Sequence, residues 1–347
     1  MLRNYLKIAW RNMLRHKLTS GINLFGLAVG LTCCLLIGLY ISHELSYDRQ
    51  HPQAKNTWRL ERTFLNPGTG AVSLELGTVA PPFGPLLQND FPEIKTMTRL
   101  LPAGNVAMRY EDKMFNETNL YFADEQLFKV FDVRLLKGNP AKALSEPYSV
   151  LLSAPLAKKY FGDSDPMNQV VRLDNNLPCK VTGVYDPFAS NTHFHPSLMV
   201  SFNTLRDSAV YGEQNLRTNW GNNSFFTYIV LPEHYDAKRM EAQFNAFQNR
   251  HIPGDGGGIK PSDYSRLSLR PMTDIHLYAH TDLEAEANGD IKRVYVFSVI
   301  ALFVLLIACI NYMNLSTARS LLRAREIGIR KVIGARRQEL VVQFLAE

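Results

Sequence analysis

Two long stretches of the chain contain no charged residue. The first runs from Leu18 to Ser42 and the second from Val294 to Ala318, and each has 25 residues. A helix of that length extends roughly 37 Å, which exceeds the ~30 Å of bilayer hydrocarbon. A buried core helix is usually shorter and polar along one side. The pattern therefore predicts two transmembrane helices, over residues 18–42 and 293–318.

The first 17 residues show an amphipathic pattern. Apolar residues recur at helical spacing, and basic residues lie four apart on another face. The apolar set is Leu2, Leu6, Ala9, Trp10, Met13 and Leu14, and the basic set is Lys7, Arg11 and Arg15. This pattern predicts a cytoplasmic interfacial helix over residues 1–17, lying on anionic membrane lipids. A basic tail that serves only topology is the alternative.

The residues between the two spans, 43–292, alternate between apolar and polar positions in many short runs. Strand-like alternation occurs in "NTWRLERTF", "NVAMRYED", "YSVLLS", "QVVRLD", "PCKVTGVYD", "FFTYIVL" and "YSRLSLRPM", and helix-like spacing in "APPFGPLLQNDFP", "APLAKKYFG" and "AKRMEAQFNAFQNR". Strands and helices mix without a regular strand–helix–strand alternation. We therefore predict an α+β domain, with two subdomains, inserted between the two transmembrane helices.

The distribution of charge indicates the topology. Residues 1–20 hold five basic residues and no acidic one, whereas residues 44–292 hold 25 basic and 29 acidic residues. Seven basic and three acidic residues follow the second apolar stretch. Short cytoplasmic segments are enriched in Lys and Arg. We therefore expect both termini in the cytoplasm and residues 43–292 outside it.

Motifs for known chemistry are absent from the sequence. It contains no G-x-x-x-x-G-K-[ST], G-x-S-x-G, H-E-x-x-H or C-x-x-C. His193 and His195 lack further ligands at metal-binding spacing, so we interpret them as surface histidines of a loop. His276 and His280 are four residues apart and could share a helix face. We predict no catalytic residue, no metal site and no cofactor.

A basic segment with two glycines, "REIGIRKVIGARRQEL", follows the second apolar stretch. On a helix, Arg323, Glu326 and Arg330 would share one side. Gly328 would permit close backbone approach, and Gly334 suits a C-terminal cap. A plain membrane anchor would need the basic residues but not the glycines or the embedded glutamate. We therefore predict a docking surface on residues 319–347.

This segment resembles the cytoplasmic segment that follows the second span in MacB/FtsX-type ABC transporter permeases. The family pattern is approximately R-E-x-G-x-R-x-x-x-G-A, and it is matched by Arg325, Glu326, Gly328, Arg330, Gly334 and Ala335. The N-terminal "YLKIAWRNMLRHKLTSGINLFGLAVGL" and the central "LLSAPLAKKYFGDSDPMNQVVRLDNNLPCKVTGVYD" are similar to other parts of the same family.

The resemblance implies a function and partners. Such permeases transmit the action of a separate ABC ATPase subunit through the first two spans to the domain outside the membrane, for export or mechanotransmission. A second permease subunit and a periplasmic adaptor or effector are further expected partners. The ATPase-coupling residues would be Arg323, Arg325, Glu326, Gly328, Arg330, Gly334 and Ala335. Because the family has at least four spans, the resemblance also predicts that this chain is an N-terminal fragment.

Two alternatives remain beside the transporter. One is an FtsX-like regulator, in which the outer domain controls cell-wall hydrolases. The other is a two-span membrane receptor with a ligand-binding outer domain, but about 30 residues after the second span leave little room for an output domain.

Overall fold

The computed structural model describes residues 17–174, 176–254 and 257–332. The chain divides into two units. The central unit is Glu44–Asp290, and the helix unit comprises the residues before 44 and after 290. The predicted interfacial helix of residues 1–17 lies outside the described residues except for Lys17.

The α-helices of the described residues are short in the central unit and long in the helix unit. They are α1 (Lys17–Leu45), α2 (Phe83–Asp90), α3 (Leu127–Val130), α4 (Ala154–Phe161), α5 (Glu213–Thr218), α6 (Ala237–Glu241), α7 (Phe244–His251), α8 (Pro261–Tyr264), α9 (Ile275–Tyr278) and α10 (Ile291–Val332). Short 3₁₀ turns cover Ala54–Asn56, Phe202–Arg206 and Met272–Asp274.

The strands of the described residues all belong to the central unit. They are β1 (Thr57–Leu65), β2 (Val72–Leu76), β3 (Thr96–Tyr110), β4 (Lys113–Ala123), β5 (Leu135–Gly138), β6 (Ser149–Ser153), β7 (Val170–Leu173), β8 (Leu177–Tyr185), β9 (Leu198–Ser201), β10 (Phe226–Val230) and β11 (Ser265–Pro271). Each run predicted from alternation contains or overlaps one of these strands.

These strands form one mixed sheet of eleven strands. Its main order is β11-β1-β10-β3-β4-β9-β6-β8-β5, with β2 paired to β1. The β4–β9 and β6–β8 pairs are parallel, and the other pairs are antiparallel. A mixed sheet with flanking helices agrees with the predicted mixture of strands and helices.

Strand β7 closes part of the sheet into a ring, because it pairs with both β3 and β8. The ring runs β3-β4-β9-β6-β8-β7 and returns to β3. Apolar side chains from all six strands fill it, among them Met108, Val150 and Val171, and α4 contributes Tyr160. Closure of a sheet removes exposed strand edges, which otherwise invite pairing with other chains.

Two further apolar clusters cover the rest of the sheet. In β6, Val150 and Leu152 belong to the cluster inside the ring, whereas Leu151 belongs to a second cluster on the opposite face. Burial on both faces explains why "SVLLS" reads as a continuous apolar run. The third cluster packs α2, α6 and α7 over β1, β10 and β11, and it includes Phe83 and Phe244.

The helix unit contains α10 and all but the last two residues of α1. Candidate membrane-spanning stretches lie at Leu24–Leu45 and Ile291–Asn314. Large apolar side chains on both helices are exposed: Phe25 is 73% exposed and Ile307 is 66% exposed. Exposure of that extent distinguishes them from core helices of a water-soluble domain.

The two long helices pack against each other in antiparallel fashion. Gly30 faces Ala308 so closely that an added Cβ would lie 2.9 Å from the Ala308 Cβ. Cys34 Sγ lies 3.4 Å from the Ala301 carbonyl oxygen. Small residues at this contact let the helix backbones approach, as is common between helices in membranes.

Candidate functional site: two chain junctions and the coupling helix

The predicted coupling residues lie at the end of α10. Arg323, Glu326 and Arg330 belong to this helix, which continues without interruption through Gly328. Residues spaced three and four apart share one helix face, so the backbone is compatible with the predicted common surface. Gly334 and Ala335 lie outside the described residues.

The structure adds a site that the sequence did not suggest. The central unit begins and ends with segments held by buried charged side chains. We call Glu44–His51 the first junction and Ile275–Glu286 the second junction. The first begins in the last two residues of α1 and continues beyond it, and the second ends a few residues before α10. Both therefore lie next to the apolar helices in the sequence.

The first junction begins with a contact to His276 of the second. Glu44 Oε2 lies 3.0 Å from His276 Nε2, and the ring of Tyr47 stacks on the His276 ring. Gly289 lies so close that an added Cβ would be 2.8 Å from both Glu44 Oε2 and His276 Nε2. The two ends of the central unit are thus bonded to each other. The structure corrects the predicted histidine pair, because α9 ends at Tyr278, before His280.

Asn191 anchors the backbone of the first junction. Its side-chain Nδ2 donates to the Ser46 hydroxyl at 2.9 Å, and its backbone carbonyl oxygen accepts from the Asp48 amide at 2.8 Å. Asp48 has a φ of +57°, a left-handed conformation that Asp adopts more readily than most residues. The chain therefore turns sharply just after α1 and is fixed there by hydrogen bonds.

Asp48 starts a buried polar chain. Its Oδ1 accepts from the His193 amide at 3.2 Å and lies 2.8 Å from His193 Nδ1. The other ring nitrogen, Nε2, lies 2.6 Å from the Tyr228 hydroxyl, on β10. His193 is 4% exposed, so the prediction of a surface histidine was wrong. The sequence around His193 gave no indication that this histidine is buried against Asp48.

The environment of Asp48 keeps it ionised. Burial by itself would raise the pKa of the Asp48 carboxyl, but the charge and hydrogen bonds of His193, with a smaller contribution from His51, hold that pKa well below its usual range. His51 Nδ1 accepts from the Asp132 amide at 3.0 Å, so its proton lies on Nε2, 3.4 Å from Asp48 Oδ1. The carboxylate thus faces two imidazoles.

The second junction is held by a buried arginine. Arg59, on β1, is fully buried and donates to Glu284 through Nη1 at 2.5 Å and Nη2 at 2.7 Å. The same guanidinium bonds Glu61 Oε1 at 2.7 Å, and Arg270 Nε bonds that oxygen at 2.6 Å. Burial alone would lower the pKa of Arg59, but Glu284 and Glu61 hold it above its usual value. The two arginines therefore face two carboxylates.

Two additional contacts complete the second junction. Glu286 accepts from the His195 amide at 2.7 Å and contacts its Nδ1 at 2.9 Å. Asp282 pairs with the Glu75 backbone of β2 through an amide at 2.7 Å and a carboxylate oxygen at 3.0 Å. His195 is thus held by Glu286 and is not a free surface histidine.

The junctions are built from hydrogen bonds between charged side chains and the chain segments they hold. In the described residues, no group of three His, Cys, Asp or Glu side chains is placed to hold a metal ion. Each junction instead fixes a chain segment to the sheet through charge-assisted hydrogen bonds, which are stronger than neutral ones. A fixed segment passes displacement on to the sheet, whereas a flexible linker would absorb it.

The central unit lies in the sequence between two long apolar helices and is fixed at both junctions. This arrangement is typical of membrane proteins with a large domain outside the bilayer. Residues 20–247 match the family of the MacB-like periplasmic core domain, and residues 298–347 match the FtsX-like permease C-terminal family. The chain belongs to the MacB-like family, whose members are inner-membrane proteins with a periplasmic domain. The resemblance predicted from the sequence is thereby confirmed.

Individual relatives are distant. A probable export ATP-binding/permease protein MacB of Pseudomonas entomophila is 22% identical over 352 residues, which cover 100% of this chain and 48% of that protein. A macrolide export ATP-binding/permease protein MacB of Acinetobacter baylyi is 26% identical over 237 residues, covering 67% of this chain and 30% of that protein. The chain spans about half the length of the first of these relatives.

A solved structure shows the same fold. A domain of a putative permease from Porphyromonas gingivalis superimposes with a TM-score of 0.55 and 19% identity, covering 72% of this chain and all of that domain. The receptor and cell-wall-hydrolase alternatives gain no support from these comparisons.

Proposed function

We propose that this chain is the transmembrane permease subunit of an ABC transporter. In this proposal both termini are cytoplasmic, residues 18–42 and 293–318 cross the inner membrane, and residues 43–292 lie outside it. Residues 1–17 lie on the inner leaflet, and residues 319–347 contact an ATPase. The family match and the excess of basic residues flanking the two spans support this topology.

The observation that carries the proposal is the pair of fixed junctions. Glu44 and His276 join the two ends of the central unit, and Arg59 ties the second junction to β1. A movement of either span relative to the other would therefore act on the sheet directly. ATP-driven movement at the cytoplasmic face needs such a stiff connection to reach a domain on the other side of the bilayer.

ATP hydrolysis is assigned in this proposal to a separate ATPase subunit. The sequence of 347 residues contains no P-loop pattern. Arg323, Glu326 and Arg330 would form charge pairs with that subunit, and Gly328 would allow its close approach. Arg325, Gly334 and Ala335 complete the family motif. A second permease subunit and a periplasmic adaptor or effector are the other partners we expect.

Affinity purification of the tagged full-length gene product from membranes tests the docking assignment. We expect an ABC ATPase to co-purify with the wild type, and Glu326→Lys and Gly328→Trp to reduce its recovery several-fold. Glu93→Lys makes the same charge change at an exposed position of the central unit and should leave the recovery unchanged. Undiminished recovery with both coupling variants would show that these residues do not form the docking surface.

A cysteine at Asn105 tests the topology. Asn105 is exposed on β3, whereas the native Cys179 of the central unit is buried. In cells with a permeabilised outer membrane, a membrane-impermeant maleimide should label Asn105→Cys but not the unmodified chain. Labelling that requires lysis of the inner membrane would place the central unit in the cytoplasm and refute the proposal.

A further inference from the structure

A cavity of about 390 Å³ opens on the central unit, away from both junctions in the sequence. Pro82 and helix α2, through Pro85 and Leu86, form one wall, and the segment from the end of β9 to α5 forms the other, through Phe202 and Leu216. This volume lies near the lower end of the range for small-molecule sites, about 300–1,000 Å³. Apolar side chains form part of each wall, and the lining also contains Asn89, Glu213 and three arginines.

Arg99 lies in the lining as a nearly buried cation, 9% exposed. Its Nε and Nη2 bond the Asp124 carboxylate at 2.9 and 3.1 Å, and its guanidinium lies 3.9 Å from the centre of the Phe202 ring. This pair is neutral overall, and the guanidinium packs on the Phe202 ring. In the described part of the chain, Arg99 Nη1 bonds no other group.

The other two arginines lie at the rim. Arg217 Nε bonds Glu213 Oε1 at 2.7 Å, whereas Arg206 Nε is 3.7 Å from the same carboxylate, beyond good hydrogen-bond distance. Both arginine side chains are exposed, at 71% and 58%. Two arginines thus share one glutamate, and this part of the rim carries one more positive charge than negative.

Tight packing sets the distance between the walls. An added Cβ at Gly84 of α2 would lie 3.1 Å from Met97 Sδ and 3.3 Å from Arg99 Cδ, so the helix rests directly on the arginine stem. On the other side, Gly212 has a φ of +94°, which places the start of α5. A side chain at Gly84 would require Met97 and the Arg99 stem to shift, and Gly212 has a backbone conformation that L side chains rarely adopt.

We infer that this cavity binds a small amphipathic anion, a carboxylate on a short apolar chain. The apolar chain would lie between Leu86 and Leu216, and the carboxylate would bond Arg206 and Arg217 at the rim. Arginine is suited to this role because its planar fork matches a carboxylate. Glu213 competes for the same two guanidinium groups. The inference concerns binding to this chain alone and does not depend on ATPase coupling.

Trp220 provides a local fluorescence reporter. It follows α5, and its ring lies 5.0 Å from that of Phe83, the first residue of α2. The chain contains three tryptophans, so Trp10→Phe and Trp58→Phe leave Trp220 alone. The full chain in nanodiscs would be titrated with hexanoate and, in parallel, with the neutral isostere hexanamide. We expect a saturable change with hexanoate and at least about ten-fold weaker binding of hexanamide.

Two variants with opposite expected effects test the assignment. The double variant Arg206→Gln and Arg217→Gln should weaken hexanoate binding about ten-fold and leave hexanamide unchanged. Glu213→Gln should tighten hexanoate binding about three-fold, because it removes the competing carboxylate. Arg134→Gln removes an exposed arginine elsewhere and should have no effect.

Three results would contradict binding of a carboxylate at this rim. Equal binding of acid and amide, no saturable change with either, or a double variant that binds hexanoate like the wild type would each overturn the inference. A tighter complex in Glu213→Gln cannot arise from damage to the fold, so that result supports the rim assignment even if another variant is unstable.

Discussion

Replacing Arg59 with methionine should lower the free energy of unfolding of the central unit by about 3 kcal/mol. Removing one partner of a buried ion pair costs about 3–5 kcal/mol, because the remaining charge stays buried and unpaired. We take the lower end of that range for two reasons. Glu61 keeps its bond to Arg270, and Glu284 retains its hydrogen bond from Thr281.

The assay is thermal unfolding of the detergent-solubilised full chain, followed by tryptophan fluorescence. Trp58 neighbours Arg59 in β1 and should report on the same strand. For a unit of this size, 1 kcal/mol corresponds to a change in Tm of about 2–4 °C, so Arg59→Met should lower Tm by roughly 6–12 °C.

The matched control is Arg134→Met. Arg134 pairs with Asp186 at 3.5 Å, and its side chain is 77% exposed. Exposed pairs contribute about 0–1 kcal/mol, so this variant should change Tm by at most a few degrees. If the two variants unfold within a degree of each other, Arg59 does not hold the second junction and the reasoning from burial is wrong.

Three other results are expected. The pKa of Asp48 is depressed, so its stabilising contribution is present above its unfolded pKa of about 3.9 and is lost as pH falls through the lower folded value. In a series of melts, the Tm difference between wild type and Asp48→Asn should therefore shrink from about pH 6 to about pH 3. A constant difference would contradict this. Gly30→Leu should destabilise the helix pair by about 1–3 kcal/mol in detergent melts, whereas Gly38→Leu, with nothing within 4 Å, should not; equal effects would refute the close contact with Ala308. Burial raises the pKa of the Cys179 thiol to about 12, so a hydrophilic maleimide should modify it at pH 8 only after denaturation, as measured by mass spectrometry; rapid modification of the folded chain would show that the thiol is accessible.

Local patterns predicted much of the secondary structure. Alternation located β1, β6, β7 and β10 because each strand has at least one consistently buried face. The run "AKRMEAQFNAFQNR" was less well predicted, since the structure has two short helices, α6 and α7, where the spacing suggested one. Both pack in the same apolar cluster, so the periodicity continues across the break.

The junctions could not be predicted from the sequence. Asp48 and His193 are 145 residues apart, and Glu44 and His276 are 232 apart. No local rule connects such positions, because a buried aspartate and an exposed one look alike in one sequence. The density of titratable residues in "HELSYDRQH", immediately after an apolar span, was the available signal. The coupling residues remain a prediction from the family motif.

The chemistry of the junctions is informative because buried ion pairs seldom add stability. Apolar side chains of similar volume would often be as stable or more so. What a buried pair contributes is preference for a single geometry. Breaking one of its bonds leaves a charge buried without water, so partly open arrangements are strongly disfavoured. Arg59 and Asp48 each bind more than one partner, so a local opening would expose several charges together. Under the proposed function, this makes each junction move as one body, and a displacement of the spans reaches the sheet instead of being lost in a linker.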